Sequence, residues 1–293
     1  MSYPRLQAAA VTALAVLPSI ACTIDVGGIV QEEEPGSGGD DGSGGSGPSG
    51  SESAEGKLSS NGLFLAPSAL LALGTGPLTS TSEGVADLLD REDGARHLEY
   101  TALCALDAGT SLTVGDATYP GLYGLAPEWV DAPCDESCQR WVTACLLAHT
   151  NVGGYSVEIS MRGPHPGMVW SPEIEETFGI QEAGFYGNLF VHDDSIGGPG
   201  LYACMGRSLI SFDSVQSSDE DFDNSYLLER MCSTGAACGL MSTGPCYFPD
   251  FEEASTCEDD AGVRGFYSDC HIDVNTQTGP MYPEVITTYL AAD

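Results

Sequence analysis

Ten cysteines lie between Cys104 and Cys270, and no other feature limits the possible folds of this chain as strongly. They are Cys104, Cys134, Cys138, Cys145, Cys204, Cys232, Cys238, Cys246, Cys257 and Cys270. In an exported chain an even count at varied spacing implies a disulfide framework, although spacing cannot choose among the pairings. The rival reading is a metal or cluster site. Against it, the sequence has no Cys-x-x-Cys and no Cys-x-x-Cys-His, and the intervals from Cys232 to Cys270 are wide and irregular. Structural disulfides are therefore expected, with no metal and no cofactor. In the helix that carries Cys138 and Cys145, the two Cα atoms are too far apart to be bridged, at about 10 Å against a limit of about 7 Å. Each is expected to reach a different segment, and Cys134 to pair elsewhere as well.

The export argument comes from the N-terminus. A single Arg5 precedes a small and apolar run, Leu6 to Ala21, that is too short and alanine-rich for a membrane span and reads as a signal peptide over residues 1–21. Ser19-Ile20-Ala21 leads directly into Cys22, the position that bacterial lipoprotein processing acylates. Ser19 stands where a leucine is usual, so ordinary cleavage and free secretion is the alternative. Behind Cys22, the stretch Gln31 to Gly56 has no aromatic or branched aliphatic residue and carries Glu32, Glu33, Glu34, Asp40 and Asp41 among glycines and serines. Such a segment cannot bury a core, and its charges extend it, so residues 22–57 read as a disordered tether. A stalk behind an acylated cysteine favours the lipid-anchored reading, with the domain at the cell envelope, on the outer membrane or cell surface.

Residues 58–293 are long enough for one substantial core. The section from Leu209 is cysteine-dense and a candidate subdomain. The formal charge is −34, with Lys57 the single lysine and the arginines scattered. A phosphate backbone needs a basic face, so nucleic acid is excluded as a general partner, and anionic lipid is repelled. Any membrane contact must come through the acyl anchor.

Periodicity places helices first. Glu83 to Leu89 and Arg96 to Leu106 read as helices, and Pro133 to His149 is the clearest, with Cys138, Trp141, Val142, Cys145, Leu146 and His149 on one face. Beyond Gly153-Gly154, Tyr155, Val157, Ile159 and Met161 alternate with polar residues, as in a half-buried strand. Ser111 to Val114, Phe185 to Val191, Leu201 to Met205 and Val285 to Leu290 are further strand candidates. The expected fold is α+β: one disulfide-stapled domain, N-terminal helices, an antiparallel or mixed sheet, and a loop-rich C-terminal section.

Four segments carry a family resemblance: Cys138-Gln-Arg-Trp-Val-Thr-Ala-Cys145, Glu158-Ile-Ser-Met-Arg-Gly163, Glu182-Ala-Gly-Phe-Tyr-Gly-Asn-Leu-Phe190 and Leu201-Tyr-Ala-Cys204. From about Glu83 onward the chain resembles uncharacterised exported, cysteine-rich lipoproteins of myxobacteria. That resemblance implies export and implies no activity or catalytic residues.

Catalytic motifs are sparse. The most site-like stretch is Glu182 to Phe190, where Glu182, Tyr186 and Asn188 sit among glycines, and Glu182 with Asp193 or Asp194 is the candidate acid and base pair of an exported hydrolase. The competing reading is a strand with bulge glycines and core aromatics. His149 and His192 read as locally satisfied residues. Asp219 to Asn224 and Asp273 to Gln277, the latter with Glu284, have partial calcium-loop spacing, and solvated loops are the favoured reading of both. Two functions follow: a surface- or periplasm-facing lipoprotein acting as a binding or interaction module for a protein or glycan ligand, which is favoured, and the hydrolase.

Overall fold

The computed structural model describes residues 57–153, 156–168, 171–194, 197–209, 230–231, 239–247, 255–259, 265–272 and 280–291. All of them fall in one compact unit, Ser51–Asp293. The expected signal peptide, Cys22, the expected tether as far as Gly56, Cys232, Cys238 and both calcium-like stretches except Glu284 lie outside the described residues.

In chain order the elements are β1 (Leu58–Ser60), α1 (Pro67–Leu70), α2 (Glu83–Leu89), α3 (Gly94–Ala105), β2 (Ser111–Val114), β3 (Ala117–Pro120), α4 (Glu136–His149), β4 (Glu158–Arg162), α5 (Pro172–Thr177), β5 (Ile180–Asp193), β6 (Gly198–Met205), β7 (Leu240–Pro245), β8 (Glu258–Asp259), β9 (Tyr267–Ser268), β10 (Cys270–His271), β11 (Met281–Tyr282) and β12 (Ile286–Leu290). The fold is α+β, as expected. Its main sheet has six strands in the order β1-β4-β12-β5-β6-β7, antiparallel except for the parallel β6–β7 pair. Among the described helices none is long and apolar enough to cross a membrane.

Helix α4 begins at Glu136, three residues later than the Pro133 start expected from sequence. Asp135 is the N-cap, and its carboxylate accepts from the Cys138 amide at 2.9 Å while Glu136 lies in the positive first turn. Val142, Cys145 and Leu146 are wholly buried against Phe185, Leu189 and Ile286 of the sheet. Thr143 Oγ1, also buried, accepts from the Leu189 amide at 3.0 Å and fixes the helix on β5. The opposite sheet face carries a second core of Tyr186, Tyr202, Cys204, Cys246, Tyr267 and Tyr282.

That second layer explains a departure from expectation at β4, which alternation suggested was half-buried. Ser160 and Arg162 are both 3% exposed, as covered as Ile159 and Met161, because the C-terminal section lies over their face. Arg162 stacks 3.6 Å from the Tyr289 ring centroid and donates to the Phe178 carbonyl at 2.9 Å. The C-terminal section itself contributes β7 to the sheet edge and β12 to its middle, so its described strands fold with the domain.

Four disulfides join the described cysteines: Cys104–Cys145, Cys134–Cys138, Cys204–Cys246 and Cys257–Cys270. Cys145 reaches across from α4 to α3, as anticipated. Cys138 does not reach a distant segment and Cys134 does not pair elsewhere, contrary to the sequence expectation. Cys134 precedes the extended N-cap Asp135 and so lies outside the helix, which brings the two Cα atoms to 5.4 Å without distorting the first turn. The Cys204 and Cys257 sulfurs approach to 3.5 Å, so two bridges pack as one unit in the second core.

Candidate functional site

Glu182 does not face a cleft. It lies on β5 where the register with β12 slips between Thr288 and Tyr289: Ala183 pairs Thr288, Gln181 pairs Tyr289, and Glu182 is skipped. A bulge of this kind re-aims the side chain. The carboxylate is 0% exposed, with Oε2 accepting from Thr288 Oγ1 at 2.8 Å and 2.5 Å from an Arg230 nitrogen. Arg230 in turn donates to the carbonyls of Ala148 at 2.5 Å and Thr150 at 3.1 Å, closing the C-terminal end of α4. Glu182 is therefore one half of a buried tie between sheet and helix.

Asp193 and Asp194 stand at the far end of β5, about 35 Å of extended chain away from Glu182 at the usual strand rise. The acid and base pair anticipated from sequence is corrected accordingly: Glu182 lies near the start of β5, Asp193 at its end and Asp194 just past it, so the length of the strand keeps them apart. His192 is at the surface, 3.6 Å from Asp194. Tyr186 is a core aromatic, stacked at 5.5 Å on Tyr202 and tilted against Tyr282, with its hydroxyl donating to the His271 carbonyl at 2.9 Å and meeting Thr243 Oγ1 at 2.8 Å. Burial raises its pKa far above the ordinary phenol value. Asn188 accepts from the Phe190 amide locally and donates to Gln139 of α4 at 3.0 Å. Gly187, at φ +132°, permits the close approach of Gly200, and the register slips again beyond Asn188. The strand with bulge glycines and core aromatics is what forms. Glu284 is likewise engaged, accepting from Ser137 Oγ at 2.7 Å and lying 3.6 Å from Arg140.

A hydrogen-bonded chain that sequence reading missed runs through His149, a wholly buried residue at the end of α4. Its Nδ1 lies 2.7 Å from the Cys145 carbonyl, which can only accept, so the proton is on Nδ1. Nε2 then accepts from Ser59 Oγ at 2.7 Å, and Ser59 Oγ accepts from the Tyr123 hydroxyl at 2.8 Å. A serine against an imidazole has the geometry of a nucleophile and base. Its chemistry fails on basicity: burial first, then Arg230, outweigh the Cys145 bond and lower His149 to about 4. A general base works best near the ambient pH. His149 is thus a satisfied local residue, as expected, and the chain pins β1 and Tyr123 to α4.

Two described groups could bring three ligand atoms together, Cys104 with Cys145 and His149, and Cys204 with Cys246 and Cys257. In both, the sulfurs are spent in disulfides and offer no thiolate.

A concavity of about 670 Å³ lies beside the start of α4. Trp141 and His165 form an aromatic wall, with ring centroids 5.0 Å apart. Asp107, Glu128 and Asp135 line it with Lys57. His165 Nδ1 accepts from the Gly167 amide at 3.0 Å, leaving Nε2 as the proton-bearing nitrogen. Burial lowers the His165 pKa against the upward pull of Glu128 and Asp107, so the ring is neutral at neutral pH. Lys57 Nζ donates to the Tyr123 carbonyl at 3.3 Å. The available sequence signal was Gly163-Pro-His-Pro-Gly167, a turn that isolates one histidine between prolines.

No protein-family model, no curated protein and no solved structure matches this chain.

Proposed function

We propose that this protein is an exported, lipid-tethered binding module of the cell envelope, and that its ligand surface is the Trp141–His165 cleft. The observation that carries the reading is the cleft itself, which sets an aromatic wall against three carboxylates and one lysine in a concave, disulfide-held frame. Aromatic walls with a few placed polar groups are how binding clefts gain affinity and orientation. The excess of carboxylates there, in a chain of charge −34, suits a basic polypeptide segment as ligand. The hydrolase reading has lost its residues, since Glu182 is tied to Arg230 in the core.

The test is titration with a short oligo-arginine peptide. Binding is expected to weaken in the Asp107→Asn/Glu128→Gln double variant and to persist in Asp87→Asn, a charge change outside the cleft. Equal loss in both variants, or preference for a neutral oligosaccharide over the peptide, contradicts the reading. The tether is supported by Ser19-Ile-Ala-Cys22 and the stalk behind it. Labelling with a palmitate analogue should mark the wild type and spare Cys22→Ser; wild type found wholly in the culture medium overturns the anchor.

A further inference from the structure

The four described disulfides are not equivalent. All eight bridged cysteines are buried, and three of the bridges join segments separated by 41, 42 and 13 residues. The fourth, Cys134–Cys138, spans only 4 residues and ties no two elements together. Closing so short a loop constrains the unfolded chain least. Among the described bridges it is also the one with a cysteine, Cys138, in the wall of the cleft.

Its surroundings allow it to open. Asp135 caps the Cys138 amide, Gln139 Nε2 donates to the Cys134 carbonyl at 2.9 Å, and the Gln139 amide bonds the Asp135 carbonyl, so the helix start is held without the S–S bond. Cys138 lies in the first turn of a 14-residue helix, whose positive end favours a thiolate, and Lys57 shares the cleft. Asp107, Glu128, Asp135 and the neighbouring Glu136 oppose that charge. This balance sets how oxidising the bridge is; the cleft sets whether its sulfur can be reached.

We propose that Cys134–Cys138 is a redox-active disulfide that exchanges with the cysteine thiols of polypeptides entering the cleft. A substrate thiolate attacks Cys138 Sγ, the Cys134–Cys138 bond breaks, and Cys134 leaves as a thiolate and takes up a proton. A second thiolate of the substrate attacks its own sulfur in the mixed disulfide, releasing Cys138, which is protonated in turn. Two electrons pass from the substrate dithiol to the bridge, and a small-molecule disulfide such as oxidised glutathione restores it. Exchange with polypeptides rests on the proposed cleft admitting them, whereas glutathione probes the bridge with no polypeptide ligand, so the two readings fail separately.

The experiment exposes the folded, oxidised chain to reduced glutathione, quenches with an alkylating agent and maps the peptides. Cys134 and Cys138 should label at least about tenfold faster than Cys104, Cys145, Cys204, Cys246, Cys257 and Cys270. The Cys134→Ser chain should form a glutathione adduct at Cys138 with oxidised glutathione. An oxidised wild-type chain should also convert a peptide dithiol to its disulfide, and Cys134→Ser/Cys138→Ser should not. Equal or slower labelling of the 134–138 pair overturns the proposal, as does peptide oxidation at the rate of the double variant.

Discussion

Glu182 and Arg230 form an ion pair at 2.5 Å with side chains 0% and 4% exposed, and the pair joins the bulge of β5 to the last carbonyls of α4. Removing one partner of such a pair strands a charge in the core, at a cost of about 3–5 kcal/mol. Arg230→Met is expected to lower stability by that order, and Arg230→Met/Glu182→Leu by clearly less than the sum of the single changes. Urea unfolding of the single and double variants measures the coupling.

His149 gives stability a pH signature. Its folded pKa is lowered to about 4 from 6.5, so between those values the unfolded chain binds a proton that the folded chain refuses. The contribution is complete above pH 6.5 and is lost as pH falls towards 4, amounting to about 3 kcal/mol at 1.36 kcal/mol per unit. The difference in unfolding free energy between neutral and mildly acidic solution should shrink by that amount in His149→Gln, whatever that variant costs at neutral pH. An unchanged acid slope would contradict the assignment.

The bridges should differ in worth as their loops do. Replacing Cys204 and Cys246 together by alanine is expected to cost about 4 kcal/mol, and replacing Cys134 and Cys138 about 2 kcal/mol, on loop entropy alone. The ordering is checked by thermal melts of the two double variants.

Gly184 sits beneath the Cys204–Cys246 bridge, and an added Cβ would meet Cys204 Sγ at 2.9 Å and Cys246 Sγ at 3.1 Å. Both sulfurs are locked by their bond and cannot swing aside. Gly184→Ala is expected to destabilise by about 1–3 kcal/mol in the oxidised chain, and the same melt reads it.

Elements with an uninterrupted pattern were legible in the sequence. Helix α4 announces its start at Pro133 and Asp135 and its face through Trp141, Cys145 and His149, and the β-branched run at Ile286 to Leu290 forms a strand. Glu182 drew notice because it shares a glycine-rich stretch with Tyr186 and Asn188, and its place in the core is set by a bulge that depends on the partner strand. The two-sided burial of β4 was hidden for a similar reason, since its second cover comes from residues about a hundred positions later. The pairing of Cys134 depended on one residue, Asp135, being cap and not helix. The cleft was the least legible feature, because Lys57, Asp107, Glu128, Trp141 and His165 share no local pattern and are assembled only by the fold.

Hydrogen exchange on the folded chain, with and without a short oligo-arginine peptide, tests the ligand surface most directly. The account predicts that added protection concentrates in residues 124–128, 135–141 and 165–167, the segments that hold most of the cleft lining, and is absent in Asp107→Asn/Glu128→Gln. Protection spread evenly over the acidic surface, or confined to other segments, would contradict it.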